Sequence, residues 1–182
     1  MAAFSVLLKE KNYAGITVND IVGRAGVGRS TFYRHFNAKA DCLILSHAHI
    51  FNGLTRELST PEAWLSPEPP KALAGFLASH QSRAGQSYSM VYKLGPDIDY
   101  VMEGVNRLLA ATMKSCLDTA FGDRLEQVPL DVLAASVAAT YSGLIMAWFR
   151  RIFPHDAAAT SGYIHALCSA QVRAGLAGDP PL

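Results

Sequence analysis

A chain of 182 residues, half of it hydrophobic and only 17% charged, is long enough to bury a core and too apolar to be a disordered polymer. Its net charge of +1 decides nothing about nucleic acid, but the charge is uneven: residues 1–50 hold six basic and three acidic side chains, a balance of +3, which leaves −2 for the rest. Three scattered cysteines, Cys42, Cys116 and Cys168, with no C-x-x-C pair, argue against a disulfide framework or zinc site and fit a reducing, cytoplasmic compartment.

Helical periodicity dominates and alternating strand-like runs are scarce, so the expected fold class is all-α. Residues 3–11 read as a short helix with Phe4, Leu7 and Leu8 on one face, followed by a loop from Asn12 to Ile16. Its start, MAAFSVLLKEK, lacks the basic, apolar and small-residue succession of a secretion signal. Thr17 is a candidate N-cap, with Asp20 in capping-box position. The helix 18–25 carries Val18, Ile21, Val22 and Ala25 at three- and four-residue spacing. Gly26 ends it with the positive φ a tight turn needs, and Val27 is expected to plug the small core. A second short helix over 29–35 buries Phe32, and Phe36 follows it inward. Asn37–Ala38 is a turn, and a longer helix runs over 39–58. Residues 59–70 hold four of the nine prolines and read as a loop with one helical turn around Trp64. Helices are predicted over 70–84, 87–94, 97–121, 130–152 and 156–176, with a loop between Gly122 and Pro129 and a break at Pro154.

The stretch TVNDIVGRAGVGRSTFYRHF, from Thr17 to Phe36, reads as a helix-turn-helix, a device that sets its second helix into a DNA major groove. Arg29, Ser30, Tyr33 and Arg34 can face outward while Phe32 faces in. An arginine matches the two major-groove acceptors of guanine. Thr31, Tyr33, His35 and Lys39 can donate to phosphates, and the free N–H groups at the start of helix 18–25 can do the same. The plainer alternative is a helix pair in a bundle with a solvated polar face.

Thr17, Val18, Ile21, Ala25, Gly26, Val27, Thr31, Phe32, Tyr33, His35, Phe36 and Lys39 stand at fixed spacing. In this the segment resembles the DNA-binding domain of the tetracycline-repressor (TetR) family of transcriptional regulators. The resemblance covers the first quarter of the chain. It implies an N-terminal three-helix helix-turn-helix domain over 1–45 and a C-terminal helical body over 46–182 that binds a small effector and dimerises. It implies base-facing roles for Arg29, Ser30, Tyr33 and Arg34, and phosphate contacts for Thr17, Val18, Thr31, His35 and Lys39. Two features depart from the family pattern. The first helix is short and lacks the basic arm that often precedes it, and Gly28 stands where a Ser or Asp often caps the recognition helix.

Val132 to Phe149 is an uncharged run of eighteen residues, about 27 Å long as a helix, close to a bilayer's hydrocarbon thickness. Ser136, Thr140, Tyr141 and Ser142 dilute it. Ala135, Ala139, Gly143 and Ala147 recur every four residues as a ridge that lets another helix approach closely. The expected use is a helix–helix seam, which the resemblance makes a homodimer interface; a membrane anchor is the competing reading, and solubility without detergent separates the two.

Aromatic and methionine side chains in the body suit a cavity for an apolar or aromatic ligand. Tyr88, Tyr92, Met102, Met113 and Tyr141 are the candidate lining. His47 and His49 lie on different sides of a helix, and no metal cluster or catalytic motif can be assembled. The expectation is a non-enzymatic, cofactor-free, ligand-responsive repressor that binds a palindromic double-stranded operator as a homodimer. The alternative is a dimeric small-molecule-binding protein with weakened or lost DNA binding.

Overall fold

The computed structural model describes residues 1–83 and 94–176. Among them the regular structure is helical: α1 (Ala2–Glu10), α2 (Val18–Ala25), α3 (Arg29–His35), α4 (Lys39–Thr55), α5 (Pro61–Leu65), α6 (Lys71–His80), α7 (Ile98–Phe121), α8 (Leu130–Phe149) and α9 (Ala157–Gly175). A lone antiparallel bridge joins Leu125 and Leu176. The fold is all-α. Helix α4 stops at Thr55 rather than residue 58, and α6 gives way at His80 to a 3-10 turn, Gln81–Arg83. The helix expected over 87–94 lies outside the described residues, apart from Leu94.

Local chemistry sets several boundaries. The Thr17 hydroxyl accepts from the Asp20 N–H at 3.2 Å, and the Asp20 carboxylate accepts from the Thr17 N–H at 2.7 Å, closing a capping box at the start of α2. Gly26 ends that helix with φ 67°, a backbone region only glycine enters cheaply. The Asp41 carboxylate receives the N–H groups of Asn37 and Ala38 at the start of α4. Asp156 caps α9 by accepting from Ala159. Helix α8 ends three residues before the predicted 152, where Arg151 takes φ 55°.

Two apolar clusters hold the chain together. The amino-terminal one gathers Phe4, Leu7, Ile16, Ile21, Val22 and Phe32 with Ala40 and Leu43 of α4, and it takes in Leu94 and Val101 from the start of the body. The larger one surrounds Trp64, Leu73, Leu77, Leu109, Met113, Leu117, Val137 and Ile164. Helix α7 packs on α8 and α4, and α9 packs on α8, α6 and α5. Val27 does not plug the smaller cluster. It is 42% exposed, because the space between α2 and α3 is already filled by Ile21, Val22 and Phe32 and the turn carries Val27 outside. Phe36 is half-buried against that cluster.

Candidate nucleic-acid interface and cavity

Helix α3 buries Phe32 and exposes Arg29, Ser30, Tyr33, Arg34 and His35 on its other sides; Thr31 and Val18 are half-buried and Thr17 is exposed. The Phe32 ring meets Tyr33 edge-on at 5.3 Å and Phe36 at the same distance. Arg29 is oriented by its neighbour helix: its Nε donates to Asn19 Oδ1 of α2 at 2.8 Å. Arg24 of α2 and Glu10 of α1 pair through two bonds of 2.9 and 2.6 Å. Lys11 bonds Asp20 at 2.8 Å. That bond, followed by the Thr17 N–H and hydroxyl, holds the Asp20 carboxyl far below its ordinary range. The first two helices and the turn therefore present α3 from a cross-braced base.

Lys39 is more constrained than its expected phosphate contact requires. Its Nζ donates to the carbonyls of Tyr13 and Ile16 at 3.2 and 3.1 Å and lies 4.4 Å from the Tyr13 ring centre. The ammonium thus clamps the loop that leads into α2, with one N–H left over. Sequence reasoning missed this clamp, and also Asn19, because neither bond follows from helical spacing.

The amino-terminal segment 1–45, called the head below, meets the helices that follow it at two polar contacts. The Tyr13 hydroxyl donates to Asp97 at 2.6 Å, and the Tyr100 hydroxyl donates to Asp41 at 2.7 Å. Burial, then the bond to Asp97, pushes the Tyr13 phenol well above its usual value. Burial works to raise the Asp41 carboxyl, but the Tyr100 hydroxyl and the N–H groups of Ala38 and Asn37 outweigh it and hold the group below its ordinary range. Gly104 of α7 lies against Ile44 of α4, where an added Cβ would overlap Ile44 Cδ1 and sit 2.9 Å from its Cγ1.

A cavity of about 360 Å³ opens between α4, α6, α7 and α8, within the size range of small-molecule sites. Its walls include His47, Ile50 and Phe51 of α4, Phe76 and His80 of α6, Val105 and Leu109 of α7, and Ile145, Met146 and Phe149 of α8. Leu8, Tyr13 and Leu43 reach it from the head. Of the residues expected there, Met102 and Tyr141 are on the wall. Met113 is not: it is fully buried in the body core, one helical turn beyond the last α7 wall residue, Leu109. Tyr88 and Tyr92 lie outside the described residues. His47 Nδ1 is 2.9 Å from the Leu43 carbonyl, and His80 Nδ1 is 2.8 Å from that of Phe76. A carbonyl only accepts, so both rings carry their proton on Nδ1 in these bonds. Burial lowers the His47 pKa. A second hollow of about 490 Å³, lined by Asn52, Arg56, Thr112 and Ser115 among others, lies open to solvent between α4 and α7.

On the far side of α8, Ala135, Ala139 and Gly143 are exposed beside Val132, and Ala147 is half-buried. Tyr163 and Leu167 of α9 are each 51% exposed. These residues form an apolar face that the described chain leaves uncovered. Helix α8 is also long and apolar enough to cross a bilayer, with a mean hydropathy of 1.6. Leu133, Ala134, Val137, Ala138, Tyr141, Trp148 and Phe149 are nevertheless buried in this fold. Among the described residues no group of three or more side chains could hold a metal ion.

Residues 2–44 match the family of bacterial regulatory proteins called the tetR family. The chain is similar to an uncharacterised HTH-type transcriptional regulator, YxbF, of Bacillus subtilis (strain 168), with 37% identity over 82 residues, 43% of this chain and 21% of the relative. It is also similar to the HTH-type transcriptional regulator CymR of Pseudomonas putida, 34% identical over 68 residues, 37% of this chain and 34% of the relative. The chain thus spans well under half the length of either. Two solved structures align more broadly. A TetR transcriptional regulator from Streptococcus agalactiae 2603V shares 22% identity at a TM-score of 0.47, over 92% of this chain and 89% of its own. The TetR family regulator PfmR from Thermus thermophilus shares 19% at 0.38, over 92% and 95%.

Proposed function

We propose that this chain, whose amino-terminal residues 2–44 belong to the tetR family, is a DNA-binding transcriptional repressor that works as a homodimer and is released by a small, mostly apolar effector. The observation that carries the proposal is the exposed polar face of α3, mounted on a capped and cross-braced α2 and lying in the matched segment. Arg29, Ser30, Tyr33 and Arg34 face the bases. Thr17, Val18, Thr31 and His35 hold phosphates, and Lys39 lends its remaining N–H while fixing the loop before α2. Phosphate contacts supply most of the affinity and fix the position on the duplex, and base contacts supply the sequence preference.

The uncovered face of α8 and α9 is the seam between copies, with Ala135, Ala139, Gly143 and Ala147 at its centre. A twofold dimer sets two recognition helices about 34 Å apart, or a small multiple of it, matching two half-sites of a palindrome. The effector occupies the cavity walled by Met102 and Tyr141. Because Leu8, Tyr13 and Leu43 also line that cavity, a bound molecule touches the head directly. It loosens DNA binding to the extent that it prefers one head position over the other. The protein is read as cytoplasmic and non-enzymatic.

Selection of binding sequences from a pool of random duplexes tests this reading. We expect enrichment of an inverted repeat with half-sites one helical turn, or a small multiple, apart. Recovery of no motif, or of a single unrepeated one, contradicts it.

A further inference from the structure

We propose that Asn19 of α2 is a positioning residue that makes Arg29 a reader of guanine. It holds the arginine by Nε and leaves the two terminal nitrogens for the O6 and N7 acceptors of one guanine in each half-site. This rests on reading α3 as the DNA-contacting helix and specifies what that helix selects.

Several basic side chains of the head are committed to other partners. Arg24 gives both terminal nitrogens to Glu10, Lys11 bonds Asp20, and Lys39 bonds two backbone carbonyls. Arg29 differs. Its Nε is 2.8 Å from Asn19 Oδ1. An arginine nitrogen only donates, so the amide oxygen is the acceptor. Nε carries one of the five guanidinium N–H groups and the terminal nitrogens carry the other four. No bond or ion pair engages those four among the described residues. With Nε occupied, the end-on fork is what remains, and such a fork matches two acceptors on one base edge. Arg34 has no anchoring bond among the described residues, so it brings charge without a fixed direction.

The anchor is itself fixed. Asn19 lies inside the capping box that Thr17 and Asp20 close, and Arg29 is the first residue of α3. The bond therefore ties the start of one helix to the start of the next. Both side chains are exposed, and in water the bond adds little to stability. Its effect is on recognition. A held guanidinium has less rotamer freedom to lose when the duplex closes on it. An unheld one that faces a wrong base can swing to a phosphate and recover part of the loss. A held one cannot, so the anchor raises discrimination more than affinity.

The test uses the full chain, the duplex selected from the random pool, and duplexes with each half-site position changed in turn. Affinity is read by fluorescence anisotropy at fixed salt. We expect one guanine–cytosine pair per half-site at which Arg29→Ala abolishes preference. Asn19→Ala should lower discrimination at that same pair by about fivefold, the worth of one typical hydrogen bond. It should leave the other positions unchanged and do nothing to discrimination once Arg29→Ala is present. The proposal is overturned if Asn19→Ala leaves discrimination at that pair intact, or acts equally with and without Arg29. It is overturned if Asn19→Ala weakens all duplexes alike and lowers the urea midpoint, the mark of a merely structural role. It also falls if Arg29→Ala weakens all duplexes alike and reduces the salt slope by about one, the mark of a phosphate contact. Enrichment of no motif by the wild type refutes the functional reading and this proposal together; a motif indifferent to Asn19 refutes this proposal alone.

Discussion

Thr17, Asp20 and Gly26 do locally what their types and spacing predict, because a capping box and a left-handed turn are settled within four residues of chain. Lys39, Asn19 and Tyr13 act at longer range. The Tyr13–Asp97 bond spans 84 positions, and no periodicity signals it. Val27 shows the opposite failure: its apolar character suggests burial, but the turn that frames it faces solvent. His47 offers a test at this scale. Burial depresses its folded pKa below the value of about 6.5 that an imidazole has in the unfolded chain. The unfolded chain therefore binds the proton first. The contribution to stability is whole above that value and is lost as pH falls through the folded pKa. Urea unfolding at about pH 7.5 and about pH 5.5 should show a smaller loss in His47→Gln, which keeps a donor for the Leu43 carbonyl without titrating, than in the wild type.

Helix α4 is the element that connects the amino-terminal helices to the cavity. Its first turn holds the loop before α2 through Lys39 and meets α7 through Asp41, its middle packs Ile44 on Gly104, and its later turns wall the cavity with His47, Ile50 and Phe51. Gly104→Ala should force α4 away from α7 and cost about 1–3 kcal/mol of unfolding free energy, the usual range for overpacking. Ile44→Ala in the same chain should return part of that loss, measured as a coupling energy in a double-mutant cycle. Additive effects would mean that the two helices do not meet there as described. Among the described residues, the helices themselves were legible from apolar spacing to within a few residues. The cavity was legible only in part. Met102, Val105, Leu109 and Met113 follow one another at three- and four-residue steps on α7. Where that stripe stops facing a void and enters closed core depends on α4, α6 and α8 across from it, so Met102 lies on the wall and Met113 does not.

At the scale of the whole molecule, the amino-terminal helices are modestly basic and expose the polar side of α3, while the α8–α9 face of the body is apolar and left uncovered by the described residues. The four-residue recurrence of small side chains marked that face in the sequence, since Ala135, Ala139 and Gly143 fall on one side of any straight helix. Which partner covers it is not a property of the single chain. Ala139→Arg should yield a monomer in sedimentation analysis. It should also weaken binding to a selected duplex by on the order of a hundredfold, as the linked second half-site is lost. A variant that stays dimeric would place the seam elsewhere.

Fluorescence anisotropy of the selected duplex at fixed salt, comparing the wild type with Arg29→Ala combined with Tyr33→Ala, is the most direct measurement. We expect the double variant to bind at least tenfold more weakly and to lose sequence preference, since each base contact is worth about 1–3 kcal/mol of discrimination. Unchanged affinity and unchanged preference would show that α3 is not the element that reads DNA.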